Sequence, residues 1–188
     1  MKQHIIVGIT GASGSTYGIR LLQELQYHDL TVHLILSSTA KKILVYETDE
    51  TVDSVANLAD KVYENDDLFA GPASGTFPVD AMVIVPCSMK TISSIAHGYA
   101  DTLISRSASC MLKENKSLIV VPRETPFDLP GLQNLFTIHQ SGGIVLPAAP
   151  GFYHKPEKVS DLVNFIVGKI LDQLSIQHNL FTHWEKPK

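Results

Sequence analysis

Cysteine, long apolar runs and excess positive charge are all scarce in this chain of 188 residues. Its two cysteines, Cys87 and Cys110, form no Cys-x-x-Cys pair and have no histidine at ligand spacing, which argues against a disulfide framework or a zinc site. We expect both to be small buried side chains. No stretch approaches the ~18 apolar residues of a membrane span, and the N-terminus lacks a signal-peptide core. The sequence therefore predicts a cytoplasmic protein with no metal site and no membrane span.

The charge balance excludes a general affinity for polyanions. The chain has 15 Lys and Arg against 19 Asp and Glu, a formal net charge of −4, so we expect no nucleic-acid partner and only a local anion site. A hydrophobic content of 44% is ample for one core, which predicts a single domain over residues 1–188. The tail from about residue 176 carries Trp184 and is expected to dock on that core or on a neighbouring subunit.

Strand patterns alternate with helical patterns along the whole chain, which predicts an α/β fold. β-branched apolar runs predict strands at 5–9, 31–36, 81–85, 118–121 and 144–146, with a shorter one at 61–63. Helical spacing predicts helices at 40–46, 52–58, 103–113 and 131–140 and a long final helix from Val159 to Leu174. This order predicts a doubly wound, mainly parallel sheet with helices on both faces. The acidic segment 49–67 is expected to carry no chemistry.

A glycine loop joins the first strand to the first helix. Gly8, Gly11 and Gly14 allow close approach of the backbone, and the first-turn N–H groups of the helix point at whatever binds there, so a phosphate is the expected guest. The spacing is neither the Gly-x-Gly-x-x-Gly fingerprint of dinucleotide sites nor that of a P-loop. A tight turn with nothing bound is the alternative.

The other strand ends also carry hydroxyl or charged residues. Ser37 and Ser38 follow the second strand, although either one is more simply the N-cap of the next helix, and Ser88 and Thr91 repeat the pattern after the third firm strand. Arg123 and Glu124 lie between two prolines after the fourth, where an arginine is suited to grip a phosphate. These residues predict a phosphorylated ligand with an apolar body, and leave FMN, a phosphosugar and a nucleotide all open.

Five motifs in this order resemble the UbiX/Pad1 family of flavin prenyltransferases, and the likeness extends from Ile5 to Trp184. They are Gly8-Ile-Thr-Gly-Ala-Ser-Gly14, Glu47-Thr-Asp49, Pro86-Cys-Ser-Met-Lys-Thr91, Val121-Pro-Arg-Glu-Thr-Pro126 and Pro150-Gly-Phe-Tyr-His-Lys-Pro156. The resemblance implies a Rossmann-like flavoprotein that joins a dimethylallyl group from dimethylallyl phosphate to N5 and C6 of reduced FMN without a metal. It also implies that the product, prenylated FMN, serves a UbiD-type decarboxylase, as in ubiquinone biosynthesis, and that the protein is a homododecamer with sites at subunit interfaces.

The same resemblance implies a role for each matching residue. FMN would be held by Gly11, Ala12, Ser13, Ser37, Ser88, Met89, Lys90, Thr91 and Arg123. The substrate would be held by Tyr153 and Lys169 on its phosphate, by Lys113 and Arg123 as added positive charge from the same or a neighbouring chain, and by Trp184 as a wall of the prenyl pocket. Ser13, Glu47 and Glu124 would be the catalytic candidates that handle the proton.

These residue types suit the implied chemistry. Cations stabilise the charge that develops on the departing phosphate, aromatic faces stabilise the allyl cation, and a carboxylate removes the proton on ring closure. The chain departs from the family pattern at Lys169, where an arginine is common, and over residues 128–133, where the family often has a histidine and an acidic residue.

Two other functions are kept as alternatives. An FMN-dependent decarboxylase of the cysteine type would share the fold, but Ser37-Ser-Thr-Ala and Pro86-Cys-Ser-Met stand where that class has a catalytic histidine and an asparagine-containing motif. A non-catalytic FMN-binding accessory subunit would not need Glu47, Arg123 and Glu124. The presence of these three residues therefore favours a working enzyme.

Overall fold

Six β-strands and seven α-helices alternate along residues 2–182 and 184, the part of the chain that the computed structural model describes. In chain order they are β1 (Gln3–Ile9), α1 (Ser15–Leu25), β2 (Leu30–Leu36), α2 (Ser38–Glu47), α3 (Val52–Ala56), β3 (Lys61–Glu64), β4 (Ala81–Cys87), α4 (Met89–Ala96), α5 (Leu103–Lys113), β5 (Ser117–Pro122), α6 (Leu129–Gln140), β6 (Ile144–Val145) and α7 (Val159–Gln173), with a 3₁₀ turn at Gly71–Ala73 between β3 and β4.

The strands form one sheet in the order β3-β2-β1-β4-β5-β6, and every recorded pairing is parallel. The predicted doubly wound α/β fold is therefore confirmed. The chain builds outward from β1 to β3, then returns to place β4 on the other side of β1 and builds outward again. This reversal opens a crevice between the carboxyl ends of β1 and β4, where open parallel sheets bind their ligands.

Apolar side chains alternate between the two faces of the sheet and fill a core on each. On β1, Ile5, Val7 and Ile9 pack toward α1 and α7, whereas Ile6 belongs to the opposite core formed with α4, α5 and α6. Because strand side chains alternate in direction, one strand serves both layers, as expected of a parallel sheet covered on both faces.

Several elements extend beyond their predicted limits by a few residues, and for two of them a local hydrogen bond gives the reason. Helix α6 begins at Leu129 rather than 131 because Asp128 caps it, accepting a 2.8 Å hydrogen bond from the Gly131 N–H. Strand β4 continues to Cys87 because the Pro86 carbonyl still accepts hydrogen bonds from both the backbone N–H and the hydroxyl of Thr10, at 3.2 and 2.9 Å.

Three features bear on the other expectations from sequence. Cys87 and Cys110 are both buried free thiols, as predicted. The described helices include none with the length and apolar character that crossing a bilayer requires. The segment after α7 returns along that helix, and a Cβ at Gly168 would lie 2.4 Å from the Phe181 ring and 2.7 Å from the His178 ring.

Candidate active site

A cavity of about 520 Å³ lies at the switch point, and its volume is typical of small-molecule sites. Its lining residues come from the ends of several strands and the starts of three helices. They are Thr10, Gly11, Ser37, Ser38, Thr39, Asn65, Ser88, Met89, Lys90, Thr91, Thr102, Ile104 and Glu124.

A second cavity, of about 740 Å³, lies at the opposite edge of the sheet, among the start of β1, residues 78–80 and Lys116. We assign the candidate site to the smaller cavity because it lies at the carboxyl edge, where helix N-termini converge on it.

The carboxyl ends of β1 and β4 are held together by Thr10. This fully enclosed hydroxyl donates to the Pro86 carbonyl at 2.9 Å and accepts from the Ser88 N–H at 2.7 Å. The first loop and the start of α4 are thereby fixed relative to each other, which defines the floor of the cavity.

Helices α2 and α4 both point their N-termini into the cavity. The Ser37 hydroxyl accepts from the Ala40 N–H at 3.1 Å, so the predicted N-cap is confirmed, and the Ser88 hydroxyl accepts from the Thr91 N–H at 3.4 Å. The remaining first-turn N–H groups and the positive ends of two helix dipoles then face the same volume. This arrangement suits a phosphate.

The N-terminus of α1 is occupied differently. The Glu47 carboxylate accepts hydrogen bonds from the Gly14 and Ser15 N–H groups at 2.8 and 3.2 Å. Burial alone would raise the pKa of Glu47, but bonds from the Ser13 side chain and these two N–H groups, with the Arg123 charge, hold it below its ordinary value. The protein's own carboxylate therefore takes two of the N–H groups that a phosphate could use at the first turn of α1, and the phosphate expected at this loop stays a prediction.

Arg123 completes a charged group beside the first loop. Its Nε donates to the Ser13 carbonyl at 2.9 Å, and its charge stabilises the Glu47 carboxylate. Ser13, Glu47 and Arg123, three residues singled out from the sequence, are thus brought together by the loop after β1. None of the three is among the lining residues of the cavity, whereas Glu124, the next residue along the chain, lines it directly.

Packing explains two positions in the glycine loop without a ligand. A Cβ at Gly11 would lie 2.6 Å from the Thr39 side chain, so only glycine allows the loop to approach α2 so closely. The Ala12 N–H is used by the Thr10 carbonyl at 2.9 Å, and the Ala12 side chain is buried.

A second group of sequence-predicted residues lies in an aromatic cluster on α7. The Tyr153 ring packs edge-on against Phe165 and Trp184, at centroid distances of 5.8 and 5.4 Å, and Phe165 contacts Phe181 at 5.0 Å. Lys169 follows Phe165 by four residues, one turn along the same face of α7.

Lys113 lies apart from both groups. It is the last residue of α5, where it pairs with Glu114 at 3.6 Å and lies beside Gly75. Since a helix rises about 1.5 Å per residue, Lys113 is roughly 15 Å along α5 from the cavity at the start of that helix. Within one chain, the structure does not bring Lys113 into the site.

Some lining residues escaped the sequence analysis. Asn65 accepts from the Ile104 N–H at 3.1 Å and lies in the segment 49–67, which was expected to carry no chemistry. Thr102 carried a detectable signal, because it forms a capping box with Ser105 at the start of α5. No sequence pattern pointed to Asn65, since its position depends on tertiary packing.

Comparison with known proteins identifies the family. The model of the Flavoprotein family matches residues 1–171. The flavin prenyltransferase UbiX of Thermoplasma acidophilum is 48% identical over 180 residues, covering 96% of this chain and 99% of that protein. The chain belongs to the UbiX family of flavin prenyltransferases.

Solved structures agree with this UbiX assignment. AnUbiX (PadA1), crystallised with FMN and dimethylallyl pyrophosphate, has a TM-score of 0.98 and 38% identity over the whole of both chains. A dodecameric FMN-dependent UbiX-like decarboxylase from Escherichia coli O157:H7 has a TM-score of 0.96 and 39% identity over 98% of this chain and 100% of that one. The peptidyl-cysteine decarboxylase EpiD shares 16% identity over 93% of this chain and 99% of its own, with a TM-score of 0.69, which shows a common fold alone.

Proposed function

We propose that this protein transfers a dimethylallyl group from dimethylallyl phosphate to reduced FMN and so makes prenylated FMN. The observation that carries the proposal is the convergence of two helix N-termini with Glu124 at the switch point, beside Ser13, Glu47 and Arg123. Membership of the UbiX family and the ligands bound to AnUbiX support it.

The cavity suits FMN in its polar and apolar parts. Ser37 and Ser88 place N–H groups and hydroxyls where a phosphate would bind, and Met89 and Ile104 supply apolar surface for a ring system. Gly11, Ala12, Ser13, Lys90, Thr91 and Arg123 complete the proposed FMN site. When bound, the reduced flavin supplies the electron-rich atoms that accept the prenyl group.

The phosphate of the second substrate needs cations that stabilise the charge it gains as the carbon–oxygen bond breaks. We assign this role to Arg123 and Lys169, with the Tyr153 hydroxyl as a donor and Trp184 as an aromatic wall. Lys113 is assigned to the site of a neighbouring copy, because its own α5 carries it away from the cavity.

The two carboxylates have different surroundings, which separates their roles. Three hydrogen-bond donors and Arg123 hold Glu47 in its charged form. Glu47 therefore keeps its negative charge and holds the Ser13 loop in place. Glu124 lines the cavity, and within the described part of the chain its carboxylate accepts a hydrogen bond only from the neighbouring Thr125 N–H. Glu124 is therefore the better placed group to remove the proton on ring closure, with Ser13 close to the reacting centre.

The proposal extends to assembly and partners. Large exposed apolar side chains, including Tyr46, Phe69 and Phe136, offer surface for subunit contacts, and the dodecameric E. coli relative supports a homododecamer. A UbiD-type decarboxylase in the cytoplasm, in ubiquinone biosynthesis or a related pathway, is the proposed recipient of prenylated FMN.

The test is an anaerobic reaction with reduced FMN and dimethylallyl phosphate, in which mass spectrometry should find a flavin heavier by one prenyl group. The Glu124→Gln variant should bind FMN normally and lose about 100-fold or more in kcat, because it cannot take up the proton. Asp29→Asn, which removes an exposed carboxylate partner of Lys2 on the opposite edge of the sheet, is the control and should match the unmodified protein.

Other outcomes distinguish the alternatives. An unmodified flavin would overturn the transferase function. Release of carbon dioxide from a peptide with a C-terminal cysteine would establish the cysteine-type decarboxylase, and FMN binding with neither reaction would indicate an accessory subunit. A parallel reaction with dimethylallyl pyrophosphate, the compound bound to AnUbiX, determines which donor is used.

A further inference from the structure

One carboxylate near the end of α7 contacts two different parts of the molecule. Asp172 Oδ2 accepts from Lys169 Nζ at 2.9 Å, and Asp172 Oδ1 lies 3.2 Å from His178 Nε2 in the segment that follows the helix. The Lys169 side chain is 42% exposed, whereas that of His178 is 2% exposed. The carboxylate thus joins a solvent-accessible cation to a buried ring.

The hydrogen bonds around His178 assign its tautomer. The Leu180 N–H donates to His178 Nδ1 at 3.2 Å, so Nδ1 carries the lone pair and the ring proton is on Nε2. Nε2–H then donates to Asp172. Burial alone would raise the pKa of Asp172, but the contacts with Lys169 and His178 lower it, so both oxygens act as charged acceptors.

The tail lies against α7 at the position where that helix has a glycine. A Cβ at Gly168 would approach the Phe181 and His178 rings to 2.4 and 2.7 Å. The ring centroids of His178 and Phe181 are 5.2 Å apart. The Phe181 ring also contacts Phe165, and the Phe165 ring contacts Tyr153. A run of contacts through the His178, Phe181 and Phe165 rings therefore connects Asp172 to Tyr153.

We propose that Asp172 is a positioning residue that fixes the Lys169 ammonium and the C-terminal tail with a single carboxylate. The inference rests on the function proposed above, in which Lys169 and Tyr153 bind the phosphate of the prenyl donor. Lysine is a point charge on a flexible stem, so it binds phosphate well only when a neighbour restricts it. One of its three N–H bonds is used by Asp172, which leaves two for the phosphate.

The Asp172→Asn variant tests the positioning role, because asparagine offers one acceptor oxygen to two donors. We expect KM for dimethylallyl phosphate to rise about tenfold, the size of a lost charge-assisted hydrogen bond, and kcat to fall as well, because Lys169 is also proposed to stabilise the departing phosphate. The control Asp29→Asn removes another lysine–aspartate contact, at 3.6 Å, and should leave both constants unchanged. A KM within about twofold of the unmodified value for Asp172→Asn would overturn the proposal.

A double-mutant cycle separates positioning from a general structural effect. Once Lys169→Met has removed the ammonium, Asp172→Asn should raise KM no further, since nothing is left to position. Additive effects of the two substitutions would overturn the proposal. If the unmodified protein formed no prenylated flavin, the proposed function would fail by itself. The same four proteins would then be compared by their dissociation constants for inorganic phosphate, measured by Trp184 fluorescence. The same fold-changes are expected, and additive effects of the two substitutions would again overturn the proposal.

The proposed contact between Asp172 and the C-terminal tail can be measured separately. Trp184 is the only tryptophan in the sequence, so its emission reports contact with Tyr153. Both Asp172→Asn and Gly168→Ala, whose new methyl group displaces Phe181 and His178, should lower the anisotropy of this emission, because the exposed indole loses the contact that restricts it. Unchanged anisotropy in both variants would refute a link between Asp172 and the tail.

Discussion

At the scale of single residues, a charged side chain of the protein itself can occupy backbone N–H groups that would otherwise bind a ligand. Glu47 illustrates this, because it satisfies the Gly14 and Ser15 N–H groups that the glycine loop alone would have offered to a phosphate. The loop is then a rigid wall that holds Ser13 and Arg123 in place. The proposed phosphate site is therefore at the N-termini of α2 and α4, whose N-caps are uncharged serines.

Glu47→Gln should lower the free energy of unfolding at pH 7 by about 0.5–1 kcal/mol, the value of a partly exposed charge at a helix N-terminus. The pKa of Glu47 is lowered in the folded protein, so its stabilisation is present above the ordinary value of 4.5 and disappears as the pH falls through the folded-state pKa. Urea unfolding of the ligand-free protein at several pH values should show the two curves converging toward acid.

Asp49→Asn provides the control for this measurement. It removes an exposed carboxylate only two residues along the chain, outside the contact with α1. Its stability should follow that of the unmodified protein throughout. A gap between Glu47→Gln and the unmodified protein that stayed constant down to pH 3 would show that the charge is not what stabilises the loop.

At the scale of elements, much of the architecture could be predicted from sequence. The alternation of strand and helix patterns predicted the sheet, and hydroxyls after strands located the helices that meet at the cavity. The contribution of Asn65 could not be predicted from sequence. It depends on β3 pairing with β2 and on the residue after β3 reaching the start of α5. The occupation of α1 by Glu47 could not be predicted either, since 33 residues separate Glu47 from Gly14.

The N-terminus of α2 has two functions that substitution at Ser37 should separate. Ser37→Ala removes the side chain that caps Ala40 and should cost about 1 kcal/mol of stability. Ser37→Asp keeps a capping acceptor but adds a negative charge where the phosphate of FMN is proposed to bind, so stability should be retained and FMN affinity should fall. Urea unfolding and FMN titration measure the two effects. Equal FMN affinity in Ser37→Asp and the unmodified protein would place the phosphate elsewhere.

At the scale of the whole molecule, the position of Lys113 connects function with assembly. Its helix starts at the cavity and ends roughly 15 Å away, so a single copy cannot present Lys113 to the site it forms. A symmetric oligomer can do so, because a surface far from one site lies next to another copy's site.

Complementation between two inactive variants tests this arrangement. Lys113→Ala and Glu124→Gln should each have low activity, since one lacks a cation on the phosphate and the other lacks the base. If a site takes Glu124 from one copy and Lys113 from its neighbour, random mixing of the two variants produces intact sites with about one quarter of the unmodified activity. Unfolding and refolding the variants together, followed by the prenylation assay, measures this recovery. Activity no higher than the mean of the two variants would mean that Lys113 serves no neighbouring site, and its proposed role on the phosphate would then be withdrawn.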